Sequence, residues 1–351
     1  MTATDLHQAL LVHTDADRAE LALELADRDG GGLVLHGKGK ALMAARHLKD
    51  TKKFQRPLIV EADAYTGKHR KLAPDAFDAN WISQQRRLGL PVVLPDGGYV
   101  DEGDESGLLS ILTRVHDDGR PDLAAPLALH RSWLDAKAGL PTLLRHAGDA
   151  GVPIALTIEH AKDPYATRSL LHGLVEVLQL GVKVYLLRCD VAAVGALCFG
   201  AEAAAVGTRT GLRHLFPRKE NGGGGGAMPS VAALVRGMLS YISLDKIEPE
   251  IQQNPDNDLW KCGCVVCGGQ SLSWIKSAPK PEDAAYLHSV EVLYQIRAEL
   301  FDNFATSAER RLAWIGLCDS AIFQHEDTAA EWSPQPVLGN WASLRGAQSI
   351  S

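Results

Sequence analysis

The sequence predicts an α/β protein built as a (β/α)8 TIM barrel, with a smaller unit appended at its C-terminal end. Two observations predict this architecture. Eight short apolar runs alternate with helix-like segments between residues 9 and 208, and three cysteines then cluster in WKCGCVVCGG. A chain of 351 residues with 46% hydrophobic residues is long enough for one large domain and an appendage.

The eight apolar runs are the predicted strands of the barrel. They occupy residues 9–14, 32–37, 57–62, 91–96, 126–132, 153–159, 182–189 and 203–208. Each run is apolar throughout rather than alternating, as expected of strands covered on both faces. Amphipathic segments such as ADRAELALELADR and SGLLSILTRVH lie between them. Eight strands alternating with helices favour a closed barrel over the alternative, an open doubly wound sheet.

The character of the chain changes after the eighth run. Residues 217–230 contain five consecutive glycines and predict a loop. The next segment, VAALVRGMLSYI at residues 231–242, is predicted to be a helix that closes the barrel. The predicted domains are therefore a barrel at residues 1–245, a metal-binding subdomain with helices at residues 246–330, and a weakly ordered tail at residues 331–351.

The cysteine cluster predicts a structural zinc site. Cys262, Cys264 and Cys267 fall within six residues, and His288 follows on the helical stretch AAYLHSVEVLYQIRAEL. Zn²⁺ takes four ligands in a tetrahedron, and a CxCxxC turn that supplies three needs one distant partner. Four protein ligands leave no open position for a water molecule, so the Zn²⁺ is expected to be structural. The alternative is a cluster of reduced cysteines without a metal.

Composition restricts the location and the partners of the chain. No stretch approaches 18 uninterrupted apolar residues, so no membrane span is expected. The N-terminal segment MTATDLHQAL lacks the features of a signal peptide, which predicts a cytoplasmic protein without a disulfide framework. The net charge of −7 argues against a generic nucleic-acid coat but leaves room for local basic segments.

Polar residues at the carboxyl ends of the predicted strands are the candidates for an active site, because barrel enzymes build their sites there. Several of these residues are carboxylates, which favours a functional site over a set of helix caps, although Asp190 also suits an N-cap position. The candidates are Glu61, Asp63, Asp96, His130, Arg131, Glu159, His160, Arg188, Asp190, Thr208 and Arg209.

The order of these motifs resembles a known family. A last strand that runs into TRxxxRH, followed by CxCxxC and a helix-borne histidine, is similar to the tRNA-guanine transglycosylase superfamily, including its DNA-acting branch that inserts 7-deazaguanines. The resemblance covers roughly residues 55–300, and the cysteine motif is its specific part. It implies the exchange of guanine for a 7-deazaguanine base in DNA or tRNA, with the protein as a homo- or hetero-oligomer.

The resemblance implies roles for particular residues of this chain. In RPLIVEADAY, Glu61 stands at the position of the family's acid/base aspartate. In LPDGGY, Asp96 is the nearest match to the aspartate that recognises the base, and His130 stands where the family has a glutamine. Glu159, at the end of the sixth run, joins these two as a predicted substrate-binding residue.

The segment AAVGTRTGLRH matches the family's last-strand motif. The resemblance implies that Arg209, Arg213 and His214 contact phosphate at the rim of the site. A second basic segment, KHRK at residues 68–71, follows the third run. The two segments together predict salt-dependent binding of a phosphate backbone, and ordinary solvated charge is the alternative.

One departure from the family concerns the nucleophile. The family's nucleophilic aspartate lies on the last strand, where this chain has Ala204, Ala205 and Val206. Exchange at a glycosidic carbon needs two carboxylates, so Asp190 is predicted to act as nucleophile and Glu61 as acid/base. Two alternatives remain open. The chain is either a non-catalytic partner subunit that keeps the zinc fold, or a barrel that acts on a free nucleoside or another small molecule.

Overall fold

The computed structural model describes residues 5–218, 230–328 and 332–345. The chain divides into two compact units, Met1–Arg218 and Lys219–Ser351. The first unit alternates strands and helices in the order that the sequence predicts. The predicted glycine-rich loop lies largely outside the described residues.

The first unit contains an eight-stranded, all-parallel sheet with the order β3-β2-β1-β8-β7-β6-β5-β4. Its strands are β1 (Ala9–Asp15), β2 (Leu33–His36), β3 (Leu58–Glu61), β4 (Tyr99–Val100), β5 (Ala125–His130), β6 (Ile154–Glu159), β7 (Val184–Cys189) and β8 (Ala203–Gly207). The helices between them are α1 (Ala19–Ala26), α2 (Lys38–Asp50), α3 (Ala79–Arg87), α4 (Glu105–Asp118), α5 (Leu140–Ala150), α6 (Arg168–Leu178) and α7 (Ala192–Cys198).

The sheet is curled as in a TIM-like barrel, and buried side chains from all eight predicted runs or their immediate flanks pack inside it. Many of these side chains are small, as a narrow interior requires. The interior cluster consists of Leu6, Ala9, Leu11, Val34, Ile59, Val92, Leu94, Ala124, Ala155, Tyr185, Leu187, Ala203 and Ala205.

The strand predicted at the fourth run is corrected by the structure. Residues 91–96 contribute only an isolated bridge at Val93, and the regular strand β4 starts three residues later, at Tyr99. Pro91 and Pro95 cannot donate backbone hydrogen bonds, which limits a continuous ladder there. The other seven runs are strands.

A second difference concerns the predicted closure of the barrel, because no hydrogen-bonded ladder joins β3 to β4 within the described residues. Within the described residues β3 and β4 are the two edges of the sheet. The outer side of Tyr99 is taken by the β3–α3 segment, since Tyr99 N donates to Lys71 O (2.8 Å) and Ala73 N donates to Tyr99 O (3.0 Å). Leu72 approaches so closely that a Cβ on Gly98 would lie 2.1 Å from its carbonyl carbon. The intervening segment thus separates the two edge strands.

The second unit begins with a hairpin rather than the predicted helix over residues 231–242. Its antiparallel strands are β9 (Ala232–Val235) and β10 (Ser240–Ser243), and Leu239 between them has φ = 46°. The helices that follow are α8 (Leu244–Gln253), α9 (Trp274–Ser277), α10 (Pro281–Asn303), α11 (Ser307–Thr328) and α12 (Pro336–Ala342).

Two predicted boundaries differ from what the described residues contain. The hairpin belongs to the second compact unit, whereas the sequence assigned residues up to 245 to the barrel. The segment predicted to be a weakly ordered tail includes helix α12, in which Val337, Leu338 and Trp341 are buried. Residues 331 and 346–351 of that segment lie outside the described part of the chain.

Candidate functional site

A buried set of charged side chains lies at the carboxyl end of the curled sheet, which we call the mouth. His13 ends the apolar part of β1, Glu61 is the last residue of β3, and Arg188 lies near the end of β7. His13 Nε2 lies 2.9 Å from Glu61 Oε2, and Arg188 Nη2 lies 3.6 Å from Glu61 Oε1. Glu61 is 3% exposed and His13 is fully buried.

Glu61 is held as a carboxylate without full hydrogen bonds. Burial alone would raise its pKa, but the charge of Arg188 and the contact with His13 outweigh burial and hold the pKa of Glu61 below its usual value. Burial lowers the pKa of His13, which keeps the imidazole neutral at neutral pH. Within the described structure neither oxygen of Glu61 and neither nitrogen of His13 has a partner in full hydrogen-bond geometry.

The network continues through a second carboxylate and a second imidazole. Arg188 forms an ion pair with Asp63, and its Nε donates to the Tyr65 hydroxyl (3.1 Å). His36 Nδ1 lies 3.5 Å from Asp63 Oδ2, and His36 Nε2 lies 2.8 Å from Asp15 Oδ1. Burial alone would lower the pKa of His36, but the hydrogen bonds with Asp15 and Asp63 raise it to about 9.

The backbone is strained at two members of this network. Asp63 has φ = 57° and Arg188 has φ = 52°, the left-handed region that non-glycine residues rarely adopt. Such a conformation costs on the order of 1–3 kcal/mol and is found mainly at functional sites. Both strained residues are partners in one ion pair, so the contacts of that pair and its surroundings must offset the cost of the strain.

A second ion pair at the mouth involves Glu159, the last residue of β6. Arg70, from the KHRK segment, forms an ion pair with Glu159, and its guanidinium carbon lies 3.4 Å from the centre of the Tyr99 ring. The Tyr99 hydroxyl donates to Glu159 Oε1 (2.6 Å). Lys71 Nζ lies 3.2 Å from Asp96 Oδ2. Both predicted substrate-binding carboxylates, Asp96 and Glu159, thus contact cations of the same segment.

The strand-end candidates Glu61, Asp96, His130 and Asp190 do not all line one cavity. Glu61 and Asp96 line a single cavity at the mouth, together with Asp63, Tyr65 and Thr157. His130 and Asp190 are not among the residues that line it. That all four belong to one active site stays a prediction.

Local hydrogen bonds hold the side chains of His130 and Asp190 near their own strand ends. His130 Nδ1 accepts from Ser132 N (3.3 Å) at the start of a 3₁₀ helix. Asp190 Oδ1 accepts from Ala192 N (3.1 Å) at the start of α7, the N-cap role that its sequence position suits. In each case a backbone N–H at a helix start holds the side chain beside its own strand end.

Asp190 has a carboxylate neighbour that the sequence did not single out. Burial raises the pKa of Asp190, and the nearby Arg213 charge opposes this. Burial and the negative charge of Asp190 raise the pKa of Asp163 to about 7. Asp163 follows β6 and accepts a hydrogen bond from Tyr165 N (2.9 Å). The pKa values of both carboxyl groups are thus raised.

The three residues predicted to contact phosphate at the rim of the site differ in the contacts that they make within the protein. Arg209 pairs with Asp15 (2.5 Å between Nη2 and Oδ1), and Arg213 Nε lies 3.4 Å from Gly207 O. His214 is buried against Phe216, with ring centres 4.1 Å apart. Burial lowers the pKa of His214 to about 4, so its ring is uncharged at neutral pH and is a poor phosphate ligand.

Three members of the network, His13, Asp15 and His36, are not among the strand-end residues predicted from the sequence. Each nearly ends or directly follows an apolar run, as Glu61 nearly ends the third, so the same signal is present at the first two strands. These three residues form one side of the network.

The second unit contains a cluster of four buried side chains that could hold a metal ion. One ligand atom from each of Cys262, Cys264, Cys267 and His288 lies within 4.8 Å of the others. His288 Nδ1 is 3.1 Å from Cys267 Sγ and 3.6 Å from Cys264 Sγ. Three sulfurs and one imidazole nitrogen are a donor set typical of tetrahedral zinc.

The surroundings orient these ligands. His288 Nε2 lies 2.9 Å from the Leu234 carbonyl, which fixes the proton on Nε2 and leaves Nδ1 to bind a metal. Gly268 and Gly269, with φ of 59° and 86°, turn the chain back so that their N–H groups bond to the carbonyls of Cys264 and Cys262. These backbone bonds help to shape the loop between the cysteines so that its sulfurs converge.

No helix in the described part of the chain is both long enough and apolar enough to span a membrane. No protein family model matches the sequence, and no curated protein is significantly similar to it. The chemistry of the mouth and of the cysteine cluster therefore carries the functional argument.

Proposed function

We propose that the protein is a zinc-containing transglycosylase that exchanges guanine for a 7-deazaguanine base in DNA or tRNA. The proposal takes the curled sheet as a TIM barrel and the Cys262, Cys264, Cys267 and His288 cluster as its structural zinc site. One observation carries it. Glu61 is a buried carboxylate at the mouth, lines a cavity, and has oxygens without full hydrogen bonds.

Such a carboxylate is suited to a base that carries N–H groups. A buried, incompletely bonded acceptor gains stability from a donor that enters the cavity. Glu61 would take up and return the proton of the leaving or entering purine, while neutral His13 and cationic Arg188 keep it in position. Asp96, across the same cavity, would recognise the edge of the base.

The nucleophile would be Asp190. It directly follows β7, the neighbour of β8 in the sheet, and a carboxylate oxygen of Asp190 could form the glycosyl ester. One of its oxygens, Oδ1, accepts from Ala192 N, so attack would use the other oxygen or follow release of this bond. Burial raises the pKa of Asp190, which favours the neutral carboxyl group over the nucleophilic carboxylate.

An exchange assay tests the proposal. The zinc-loaded chain would be incubated with duplex DNA or tRNA and labelled guanine or 7-deazaguanine, and incorporation of label would be followed. We expect incorporation into at least one nucleic acid. Glu61→Gln should lower the rate roughly 10²–10⁴-fold, the usual contribution of proton transfer. Asp190→Asn should abolish exchange if Asp190 forms the covalent ester.

A matched control separates loss of chemistry from loss of folding. Glu202→Gln removes a carboxylate that pairs with Lys183 (2.8 Å) at the amino end of the sheet, away from the mouth. This variant should retain exchange, and all variants should retain zinc. Full activity in Glu61→Gln would contradict the assigned acid/base role, and full activity in Asp190→Asn would place the nucleophile elsewhere.

A second function is favoured by a specific observation. The last strand offers only the buried Ala204, Ala205 and Val206 where the family has its nucleophile, and Asp190 is engaged as a cap. The chain would then be a non-catalytic subunit that binds nucleic acid or a catalytic homologue. Binding of duplex DNA or tRNA at low salt without exchange of any base would favour this function over catalysis.

A further inference from the structure

The segment between β3 and α3, residues 62–78, covers the mouth, and we call it the mouth loop. Its Tyr65 packs with Tyr99, Ala128 and Leu215 in a buried cluster at the carboxyl end of the sheet. Glu61 directly precedes this segment and is 3% exposed. Movement of the loop would therefore widen the access of a substrate to Glu61.

Ion pairs and hydrogen bonds both hold the mouth loop down. Arg70 pairs with Glu159 of β6 and stacks on Tyr99, whose hydroxyl also bonds to Glu159. Lys71 pairs with Asp96, and Tyr99 exchanges backbone hydrogen bonds with Lys71 and Ala73. Further attachments lie at the two ends of the loop: the Asp63–Arg188 ion pair, the bond from Ser110 Oγ to Ala73 O, the bonds from Arg114 to the carbonyls of Pro74 and Asp75, and the bond from Asp78 N to Asp96 Oδ1. The Arg70–Glu159 pair lies between these ends.

Arg70 and Lys71 belong to the basic segment KHRK. Lys68 and His69 are exposed, whereas Arg70 and Lys71 are partly buried against their carboxylates. When the loop lifts, two further cations become available beside Lys68. Glu159 and Asp96 therefore occupy the positions that phosphate groups would take on an open loop.

We infer that the mouth loop is a lid, latched by the Arg70–Glu159 pair, which a nucleic-acid backbone opens by competing with Glu159 and Asp96 for Arg70 and Lys71. Phosphates bind the four-residue basic segment only in the open state, so their binding energy favours opening. The inference rests on the proposed function, because it takes nucleic acid as the ligand of the mouth. It makes the accessibility of Glu61 depend on the bound substrate.

Hydrogen exchange of the full, zinc-loaded chain tests the lid. The reporters are the Ala73 and Tyr99 amides, which bond across the lid contact and are exposed when it opens. Glu159→Gln removes the charge of the latch. We expect exchange at both reporters to accelerate roughly 10- to 100-fold, as expected for loss of a hydrogen bond between charged groups. Glu202→Gln, with the same change of charge outside the mouth, should leave both reporters unchanged.

Tyr99→Phe offers a milder second variant in case Glu159→Gln folds poorly. It removes only the hydroxyl that bonds to Glu159 and should accelerate exchange at the Ala73 amide by a smaller factor. Unchanged exchange at Ala73 and Tyr99 in a folded Glu159→Gln chain would overturn the latch.

Duplex DNA at low salt tests the ligand. We expect DNA to accelerate exchange of the Tyr99 amide in the unmodified chain. Glu159→Gln should also bind DNA more tightly than Glu202→Gln, by a factor up to its gain in lid opening, because less binding energy is used to open the lid. DNA that leaves Tyr99 exchange unchanged or slows it would overturn the role of nucleic acid. Neither measurement needs turnover, so a chain without base exchange can still have the lid, and an active chain can lack it.

Discussion

The mouth of the first unit and the cysteine cluster of the second both bury several titratable side chains, but they balance charge in different ways. At the mouth, Asp15, Glu61 and Asp63 face Arg188, Arg209 and protonated His36, so the residues present compensate one another. In the cluster, three sulfurs and one imidazole converge within 4.8 Å, and ionised thiols would repel one another there. A converging set of like donors is thus suited to binding a cation from outside, whereas the network at the mouth is balanced by its own residues.

Removal of the metal should have the largest effect. We expect one zinc per chain, and removal by a chelator or by Cys267→Ser should unfold the cysteine loop of the second unit, because structural Zn²⁺ sites contribute on the order of 10 kcal/mol. Metal analysis and circular dichroism would report the loss. Cys318→Ala, which removes another buried thiol of the same unit, should keep the metal. If the chain folds equally well without metal, the cysteine cluster does not depend on a cation from outside, and the contrast with the mouth is lost.

Loss of a cation from the mouth should have the next largest effect. Arg188→Met leaves Glu61 and Asp63 without their shared guanidinium, and breaking a buried ion pair costs about 3–5 kcal/mol. Urea unfolding would measure the loss. Arg86→Met is the matched control, since the Arg86–Asp122 pair is partly solvated and should contribute less than about 1 kcal/mol. Equal losses in the two variants would show that the mouth is not a compensated network.

The two regions also differ in how far the sequence predicted them. Ligand spacing limits a CxCxxC turn to few geometries, so Cys262, Cys264 and Cys267 could be paired with His288 from sequence alone. Seven of the eight strands were predicted for a similar reason, since buried parallel strands are continuously apolar. The prediction of the fourth strand was wrong because prolines in that run interrupt the hydrogen-bond ladder. The prediction of a helix over residues 231–242 was wrong because this apolar segment pairs with itself as a hairpin.

The mouth could be predicted only in part, because its geometry depends on side-chain choices that spacing does not determine. The strand-end rule found Glu61, Asp96 and Arg188. It could not show that Asp190 accepts a hydrogen bond from Ala192 N at the start of α7. The partners of each charge come from strands far apart in sequence, so compensation becomes visible only in the folded chain.

The charge on His36 gives a pH test of compensation. Its pKa is raised from 6.5 to about 9 in the folded chain, so its contribution to stability is fully present below pH 6.5 and is lost as pH rises through about 9. His36→Gln should therefore cost at most about 3 kcal/mol more at pH 6 than at pH 10. Unfolding by urea at the two pH values would measure the difference. His47→Gln, which removes an exposed imidazole near Glu20, should show no such difference.

The smallest effect on stability is expected at Asp163 and Asp190, two neighbouring carboxyl groups whose pKa values are both raised. Burial and the charge of Asp190 raise the pKa of Asp163 from 3.8 to about 7. The folded chain therefore binds more protons than the unfolded chain between about pH 4 and pH 7, and its stability falls as pH rises through that window. Asp163→Asn cannot ionise, yet its amide oxygen can still accept the hydrogen bond from Tyr165 N.

Asp163→Asn should consequently be more stable than the unmodified chain at pH 8, by on the order of 1–2 kcal/mol for a partly buried carboxylate, and no more stable at pH 4. Urea unfolding at both pH values measures this. Asp104→Asn, at another helix start, is the control and should show no gain at pH 8. If Asp163→Asn is instead destabilised at pH 8, the charge of Asp163 is balanced by a cation. The carboxylate pair would then belong with the compensated mouth, and only the cysteine cluster would depend on a cation from outside.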